Sequence, residues 1–593
     1  MRGNDHRVKN RVFTIEEKCT GCNKCISVCP VDCANQVYHA YDGSRKITVD
    51  GDYCISCGAC ITVCDHGARD YVDDTEQFFQ DLRHPFKEPI TLVAAPAAQV
   101  HFPELGRLFG WMKSMGASRI YDVSLGADIA TWAYLRAMEA MSIPSMIAQP
   151  CPSIVNYCER YLPEILPYLA PIQSPLMCLA FYLRRYEHVR GRIAFLSPCI
   201  AKAEEMGDAN TGHLVQYNVT FSKLKKMMEE QQIDLSRYPS LDFDGMPSGI
   251  GHVYSRPGGL AETVRVTDKD MWIRQVDAVD RSYDYLREYL ARRERGAKIP
   301  KLVDILNCGG GCNLGTGTDR DVALDDIDSV TNDRKREKEA RQVRETASGV
   351  EYAPHVFFDK HLNWKDFRRQ YADRRVPDGR FEDEDLEEAY HFLFKRTPES
   401  QTINCHACGY GSCKRFAQAL KLGMNVPASC IDYERNQLKH DSLTSLLNHG
   451  GLGEAMERIL RWYREEPYDL SLIMMDVDDF KMVNDQFGHH VGDMALQAVA
   501  LAIEENIRAT DAAGRWGGDE FMIILPHADR KAAEKVVSRI QKAILASNVL
   551  PGGAHFTSSA GIAEVREGDD AVEFFQRADQ ALYEAKKYKN RRR

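Results

Sequence analysis

Apolar and polar positions are phased differently in successive parts of the chain. Residues 1–75 are dense in cysteine and poor in helical periodicity, which suits a small domain organised by its cofactors. From about residue 88 to 320, compact apolar runs ("ITLVAAP", "RIAFLSPC", "VDILNCGGGC") alternate with amphipathic stretches such as "FPELGRLFGWMKSMG". That alternation predicts a mixed α/β domain with parallel strand pairing. The stretch "DRDVALDDIDSVTNDRKREKEARQVRETASG" is nearly free of large apolar residues and reads as a solvated helix or flexible connector. A short helical joint, "IDYERNQLKHDSL", precedes a last segment that reads strand, helices, hairpin, helix, strand, helix. In it "YDLSLIMMDVDDF" predicts a buried strand, and "GRWGGDEFMIIL" a hairpin with Gly517-Gly518 in the turn and Asp519-Glu520 at its tip.

Length and charge narrow the picture. At 593 residues the chain exceeds what one core supports, so three or four domains are expected. A net charge of −10 provides no basic field, and nucleic acid is not an expected partner. No apolar run approaches the ~20 residues of a membrane span, and "MRGNDHRVKNRVF" lacks the apolar centre of a secretory signal. The expectation is a cytoplasmic protein with no membrane partner. Nineteen cysteines, bunched at two-residue intervals, point to metal rather than disulfides.

Two runs, Cys19, Cys22, Cys25, Cys29 and Cys54, Cys57, Cys60, Cys64, have the C-x2-C-x2-C-x3-C spacing in which three thiolates hold one 4Fe-4S cluster and the fourth reaches the other. On that pattern Cys19, Cys22, Cys25 and Cys64 hold one cluster, and Cys54, Cys57, Cys60 and Cys29 the second. Zinc would favour separated pairs. Cys33 falls outside the pattern and is expected to be a small buried side chain. Cys151, Cys199, Cys308 and Cys312 are four thiols far apart in sequence, enough for one further cluster, with glycines near Cys312 that permit close backbone approach. Cys405, Cys408, Cys413 and Cys430 form a last set, suited either to a 4Fe-4S cluster or to zinc. Asp476, Asp478 and Asp479 end the buried strand, where a carboxylate suits Mg2+, and Asp519 and Glu520 are placed to face Asp476.

The stretches "AQPCPS", "LSPCIAKAEE" and "DILNCGGGCNLGTGT" resemble the three signature loops of FeFe-hydrogenases, in that order. The text "LVAAPAAQV", "YDVSLGADIA", "YLPEILPYLAPIQSP" and "PGGLAETVR" extends the resemblance over most of residues 90–318. It implies that Cys151, Cys199, Cys308 and Cys312 ligate the cubane of an H-cluster, Cys312 also bridging to a diiron unit. Lys202 would donate to a cyanide of that unit, and Glu205 matches the acid that closes the second motif. The chain departs from the family at Pro150, where a proton-passing cysteine stands, at Tyr134, Ala137 and Ala170 along the relay, at Ser197 for a methionine, and at Leu176 for a glutamine. Proline carries no transferable proton, and losing a general acid costs about 10²- to 10⁴-fold in rate. The expectation is a sensory domain for hydrogen, redox poise or a diatomic gas. The alternative is an ordinary cubane without a diiron unit. Cys158 and Cys178 read as core thiols. "NCHACGYGSC" resembles a small four-cysteine iron-sulfur domain found beside redox modules.

"DSLTSLLN", "FKMVNDQFGHHVGD", "GRWGGDEF" and "ADQALYEAKKYKN" resemble GGDEF-family diguanylate cyclases over nearly all of residues 441–593. The resemblance implies Mg2+ on Asp476, the Val477 carbonyl and Asp519. It implies guanine recognition by Asn484 and Asp493, phosphate contacts from Lys481, Lys586 and the Phe480 N–H, and Asp519 or Glu520 as base. Lys589-Asn590 stands where the family has "GRN". Arg508 and Asp511 match its product-inhibition motif, the alternative being a helix-end ion pair. One GGDEF site holds one GTP, so a homodimer is expected.

The expected architecture is multidomain α/β and α+β: a bis-4Fe-4S ferredoxin-like domain at 1–75, a hydrogenase-like domain at 76–320, a charged connector at 321–390, a four-Cys domain at 391–436 and a GGDEF domain at 437–593. The expected activity is a redox- or gas-regulated condensation of two GTP into c-di-GMP. An electron donor and maturation proteins are candidate partners. The rival readings are a slow hydrogenase-type oxidoreductase whose GGDEF domain binds nucleotide as an effector, and a c-di-GMP receptor without turnover.

Overall fold

The computed structural model describes residues 11–84, 88–148, 150–347, 354–376, 384–508 and 510–590, the side chains of 341–347, 384, 589 and 590 excepted. It forms two compact bodies, one of Met1–Ala389 with Thr397–Val426, the other of Tyr390–Arg396 with Pro427–Arg593. Among the described residues no helix is long and apolar enough to cross a membrane.

The first body is built around a four-stranded parallel sheet in the order Ala117–Asp122, Ile90–Ala94, Arg192–Ser197, Tyr217–Thr220. A second parallel sheet orders Ile273–Val276, Leu302–Ile305 and Met146–Ile147. All five residues of Ile90–Ala94 are buried. Strands covered on both faces read as unbroken apolar runs, which is how they appear in the sequence. The long helix Val123–Ala140 starts where Asp122 caps it, accepting from the Ser124 N–H at 2.9 Å. Two small antiparallel ladders, Val12–Thr14 with Arg69–Tyr71 and Asn35–His39 with Arg45–Val49, make up the N-terminal part.

The charged stretch after residue 320 takes the helical alternative, but it is not wholly solvated. Leu324–Ala347 is one helix, with Ile327, Thr331 and Arg334 buried. Arg334 pairs with Asp122 and Lys335 with Glu262 at 2.9 Å. Beyond it, Phe358 and Phe367 enter the main core fully buried. The helix looks solvated in sequence because it packs through charges whose partners lie in other segments, and charge pairing leaves no apolar periodicity.

The second body carries an antiparallel sheet ordered Ala512–Gly517, Glu520–Pro526, Leu470–Val477, Ser558–Glu564. Every residue of Leu470–Val477 is buried, because helices cover both faces. Leu472 and Met474 pack with Leu452, Met456, Phe574 and Leu582, whereas Ile473, Met475 and Val477 pack with Leu496, Val499, Val537 and Ile540. The two-residue period of the strand divides one apolar run between two cores.

Candidate functional sites

The two N-terminal cysteine runs share a backbone. In each, the residues just before and after the second cysteine are left-handed: Gly21 (φ 67°) and Asn23 (φ 63°) around Cys22, Ser56 (φ 55°) and Gly58 (φ 72°) around Cys57. Alternating hands along a short loop turn successive N–H groups inward, a concavity that suits an anionic cluster. Cys29 belongs spatially with the second run. Burial pushes the Cys57 thiol far above its ordinary value, and Cys29, Cys60 and Cys54 add to the shift. Burial likewise raises Cys60 to about 12 and Cys54 to about 11. Cys25 lies with Cys19 and Cys22, and Lys24, paired with Asp65, lies within electrostatic reach of Cys22 and Cys64. The structure thus places Cys29 with the second run and Cys25 with Cys19 and Cys22. Cys33 is partly exposed rather than buried, while Cys158 and Cys178 are fully buried core thiols.

Cys151, Cys199, Cys308 and Cys312 line one cavity of about 80 Å3. They arrive at the carboxyl ends of parallel strands, where α/β sheets place their sites. Cys151 caps the helix Pro152–Tyr161, Cys199 follows the strand Arg192–Ser197, and Cys308 and Cys312 follow Leu302–Ile305. Gly311 (φ 78°) is required there, since a Cβ would meet the Ser255 carbonyl at 2.5 Å. Burial raises the Cys199 thiol to about 12, with Cys151 and Cys308 contributing. Four soft sulfur donors around a small void fit an iron-sulfur cluster, and among the described residues no three His, Cys, Asp or Glu side chains close around a single ion.

Lys202 also lines this cavity. Its Nζ donates to the Glu205 carboxylate at 2.6 Å, the Ser174 hydroxyl at 3.1 Å and the Pro150 carbonyl at 3.2 Å. Glu205 in turn accepts from buried Arg369 at 3.2 Å, which also reaches Asp208 at 3.3 Å. Pro150 and Leu176 form apolar wall. Tyr134, Ala137 and Ala170 are buried in the core. The Ser197 hydroxyl accepts from the Cys199 N–H at 3.1 Å, so it shapes the cysteine loop.

Asn307 links this cavity to the second N-terminal set. It is 2% exposed; its amide nitrogen donates to the Cys57 carbonyl at 3.1 Å and toward the Cys308 sulfur at 3.5 Å. The Tyr283 hydroxyl donates to the Asn307 oxygen at 2.6 Å, which fixes the direction of the amide. A Cβ on Gly58 would meet Thr316 at 2.3 Å, so the two loops are in close contact.

Cys405, Cys408 and Cys413 lie in the first body and Cys430 in the second. Gly409 (φ 89°) rests against the first cluster loop, where an added Cβ would meet the Asn23 carbonyl and the Ile26 side chain at 3.1 Å each. Cys430 caps the helix Ile431–Gln437.

In the second body, register does the positioning. Asp476 stands directly across from Glu520, and the Val477 N–H donates to the Asp519 carbonyl at 3.2 Å. Burial, with repulsion from Asp519 and Glu520, raises the Asp476 carboxyl to about 6 against the opposing pull of Lys586, whose Nζ lies at 2.7 Å. Burial also raises Glu520. Asp476, with Asp519 and Glu520 within its electrostatic reach and Lys586 in contact, makes a carboxylate-rich strand end of the kind that suits a divalent cation carrying phosphates. Asp478 is instead tied to the sheet, accepting from the Thr557 and Ser559 hydroxyls at 2.6 Å each. Phe480 opens the helix Phe480–Phe487 after left-handed Asp479 (φ 54°). Asn484 lies against Gly492, where a Cβ would meet its oxygen at 1.9 Å, so Asn484 and Asp493 sit at one helix crossing. Lys481 is exposed beside them. Arg508 is exposed and its backbone N–H, rather than its guanidinium, donates to Asp511 at 2.7 Å. The side chains of Lys589 and Asn590 lie outside the described residues.

Four segments of the chain match known families. The diguanylate cyclase GGDEF domain matches residues 438–592, the C-terminal domain of the large subunit of iron-only hydrogenase 88–316, a 4Fe-4S dicluster domain 18–68 and a putative Fe-S cluster domain 401–431. Diguanylate cyclase DgcP of Pseudomonas aeruginosa is 37% identical over 27% of this chain and 24% of its own length. Diguanylate cyclase DgcM of Escherichia coli is 36% identical over 25% of this chain and 36% of its own. The solved GGDEF domain of DgcB from Caulobacter crescentus in complex with c-di-GMP aligns with 25% of this chain and 90% of that chain at 28% identity and a TM-score of 0.25. The chain spans about a quarter to a third of the length of these curated relatives. It joins a dicluster ferredoxin-type domain, an iron-only-hydrogenase-like domain, a small iron-sulfur segment and a C-terminal GGDEF domain.

Proposed function

We propose that the chain condenses two GTP into c-di-GMP on paired GGDEF domains, at a rate set by its iron-sulfur and hydrogenase-like domains. The observation that carries the cyclase reading is the strand register that sets Asp476 opposite Glu520 with Asp519 bonded beside it. Asp476, Asp519 and the Val477 carbonyl would hold Mg2+, which neutralises charge on the triphosphate. Asn484 and Asp493 orient the guanine, and Lys481 and Lys586 meet phosphate oxygens. Asp519 or Glu520 accepts the proton of a 3′-hydroxyl. That oxygen then attacks the α-phosphate of the GTP held by the partner chain, and the bond to pyrophosphate breaks. The mirror-image step closes the ring, so a homodimer is part of the mechanism. Arg508 and Asp511 bind the product and restrain the enzyme.

The hydrogenase-like cavity supports a sensor rather than a high-flux hydrogenase. Pro150 and Leu176 form its wall, and Lys202 is already engaged by three protein acceptors. Ligand or electron occupancy there need alter the cyclase equilibrium by only about 1.4 kcal/mol to change output tenfold. The test of the catalytic reading is Asp519→Ala, compared with wild type for c-di-GMP formation and for GTP binding. Lost product with retained binding is expected. Equal product from both proteins would overturn it, as would no product from wild type.

A further inference from the structure

Arg69 begins the strand Arg69–Tyr71, paired opposite Thr14. It is 6% exposed. Its guanidinium donates to the Thr14 hydroxyl at 2.7 Å, the Asn35 side-chain Oδ1 at 2.8 Å and the Cys25 sulfur at 3.3 Å. Among the described residues no carboxylate lies within ion-pair distance of it. Guanidinium does not give up its proton in a protein, and a buried cation without a counter-charge is costly. Thr14 and Asn35 are neutral. The remaining neighbours are sulfurs: Cys25 in direct contact, with Cys60 and Cys19 within its electrostatic reach. Neutral thiols cannot balance the charge, whereas thiolates bound to iron can.

Cys25 belongs to the first set and Cys60 to the second, so a single cation in contact with one set also acts on the other. Cluster potentials respond to net charge and to hydrogen bonds on the sulfurs. We infer that Arg69 is the shared counter-ion of the two N-terminal clusters. Its charge favours the more negative, reduced form of both and moves their potentials together. The inference rests on the cluster reading of these two cysteine runs and is independent of the cyclase.

The experiment is a redox titration followed by electron paramagnetic resonance on anaerobically purified full-length wild type, Arg69→Gln and Arg69→Lys, with iron and sulfide counted first. In Arg69→Gln the midpoints of both N-terminal clusters are expected to fall together. The oxidised-to-reduced ratio at fixed poise should change at least tenfold, about 59 mV for a one-electron couple. Arg69→Lys, which keeps the charge but not the fork, should recover most of that shift. Iron lost from Arg69→Gln but kept in Arg69→Lys would equally show that the charge is what the clusters need. Unchanged midpoints at full iron content would overturn the inference. So would a shift of one cluster alone, or the same behaviour in both variants. Wild type without two four-iron clusters would remove the cluster reading itself, and the iron count shows that before any potential is read.

Discussion

Replacing Arg369 by methionine tests how residues beyond the hydrogenase-like domain hold its cavity. Arg369 is 4% exposed, Glu205 3% and Asp208 6%. With Lys202 they form a network of two cations and two carboxylates, from the Lys202–Glu205 contact at 2.6 Å to the Arg369–Asp208 contact at 3.3 Å. The set is neutral as built. Methionine fills similar volume but leaves one buried negative charge uncompensated, which costs about 3–5 kcal/mol. Arg374 also reaches Asp208, at 3.3 Å, and is itself 43% exposed, so it compensates part of that charge and the cost falls at the lower end of the range, about 3 kcal/mol. At about 2 °C per kcal/mol for a large domain, the unfolding midpoint should fall by about 6 °C. The assay is anaerobic thermal unfolding read by far-UV circular dichroism and by loss of cluster absorbance. The cluster signal should move with the dichroism, since Glu205 holds Lys202 at the cavity wall. A midpoint within 2 °C of wild type, or a cluster transition that stays in place while the dichroism moves, would refute the reasoning.

Four further outcomes follow from the same geometry. Asp304, 4% exposed, has its carboxyl raised to about 7 by burial; the folded chain keeps a proton there that the unfolded chain loses, so stability falls as pH rises from about 4 to 7. Asp304→Asn should therefore stabilise the protein at pH 8 by up to about 4 kcal/mol and leave it nearly unchanged at pH 4, as read by denaturant titration. Asn307→Leu removes a hydrogen bond to the Cys308 sulfur and should lower the midpoint of that cluster while sparing the set at Cys19, Cys22, Cys25 and Cys64. Gly492→Ala places a methyl group 1.9 Å from the Asn484 oxygen and should weaken GTP binding at least tenfold in calorimetry while the domain stays folded. Arg508→Ala should lift the slowing of c-di-GMP progress curves as product accumulates, and added pyrophosphatase should leave that difference intact.

Spacing indicated that Cys29 lies with the second cysteine run, as the structure shows, because the C-x2-C-x2-C-x3-C pattern carries its exchange between runs in the sequence itself. The apolar run of Leu470–Val477 likewise indicated the buried strand that sets Asp476 against Glu520, but the hairpin turn lies one residue later than expected: Gly517 pairs with Glu520 in the ladder, and Gly518 and Asp519 make the turn. What stayed hidden were single polar residues whose roles depend on long-range packing. Arg69, Asn307 and Arg369 have no pattern around them, and each acquires its meaning from partners up to 250 residues away in sequence, as for Asn307 and Cys57. The helix Leu324–Ala347 was unreadable as part of the first body for the same reason: Arg334 and Lys335 attach it through charge, and charge on a helix normally signals solvent. A buried ion pair and a solvated one look identical in a sequence.

The most direct test of the account is the rate of c-di-GMP synthesis from GTP and Mg2+ by one anaerobic preparation of the full chain, divided among hydrogen, nitrogen and mild oxidation. The account predicts a rate that differs between conditions at equal iron content and returns when the condition is reversed. A rate that is the same under all three would contradict the claim that the iron-sulfur and hydrogenase-like domains govern the cyclase.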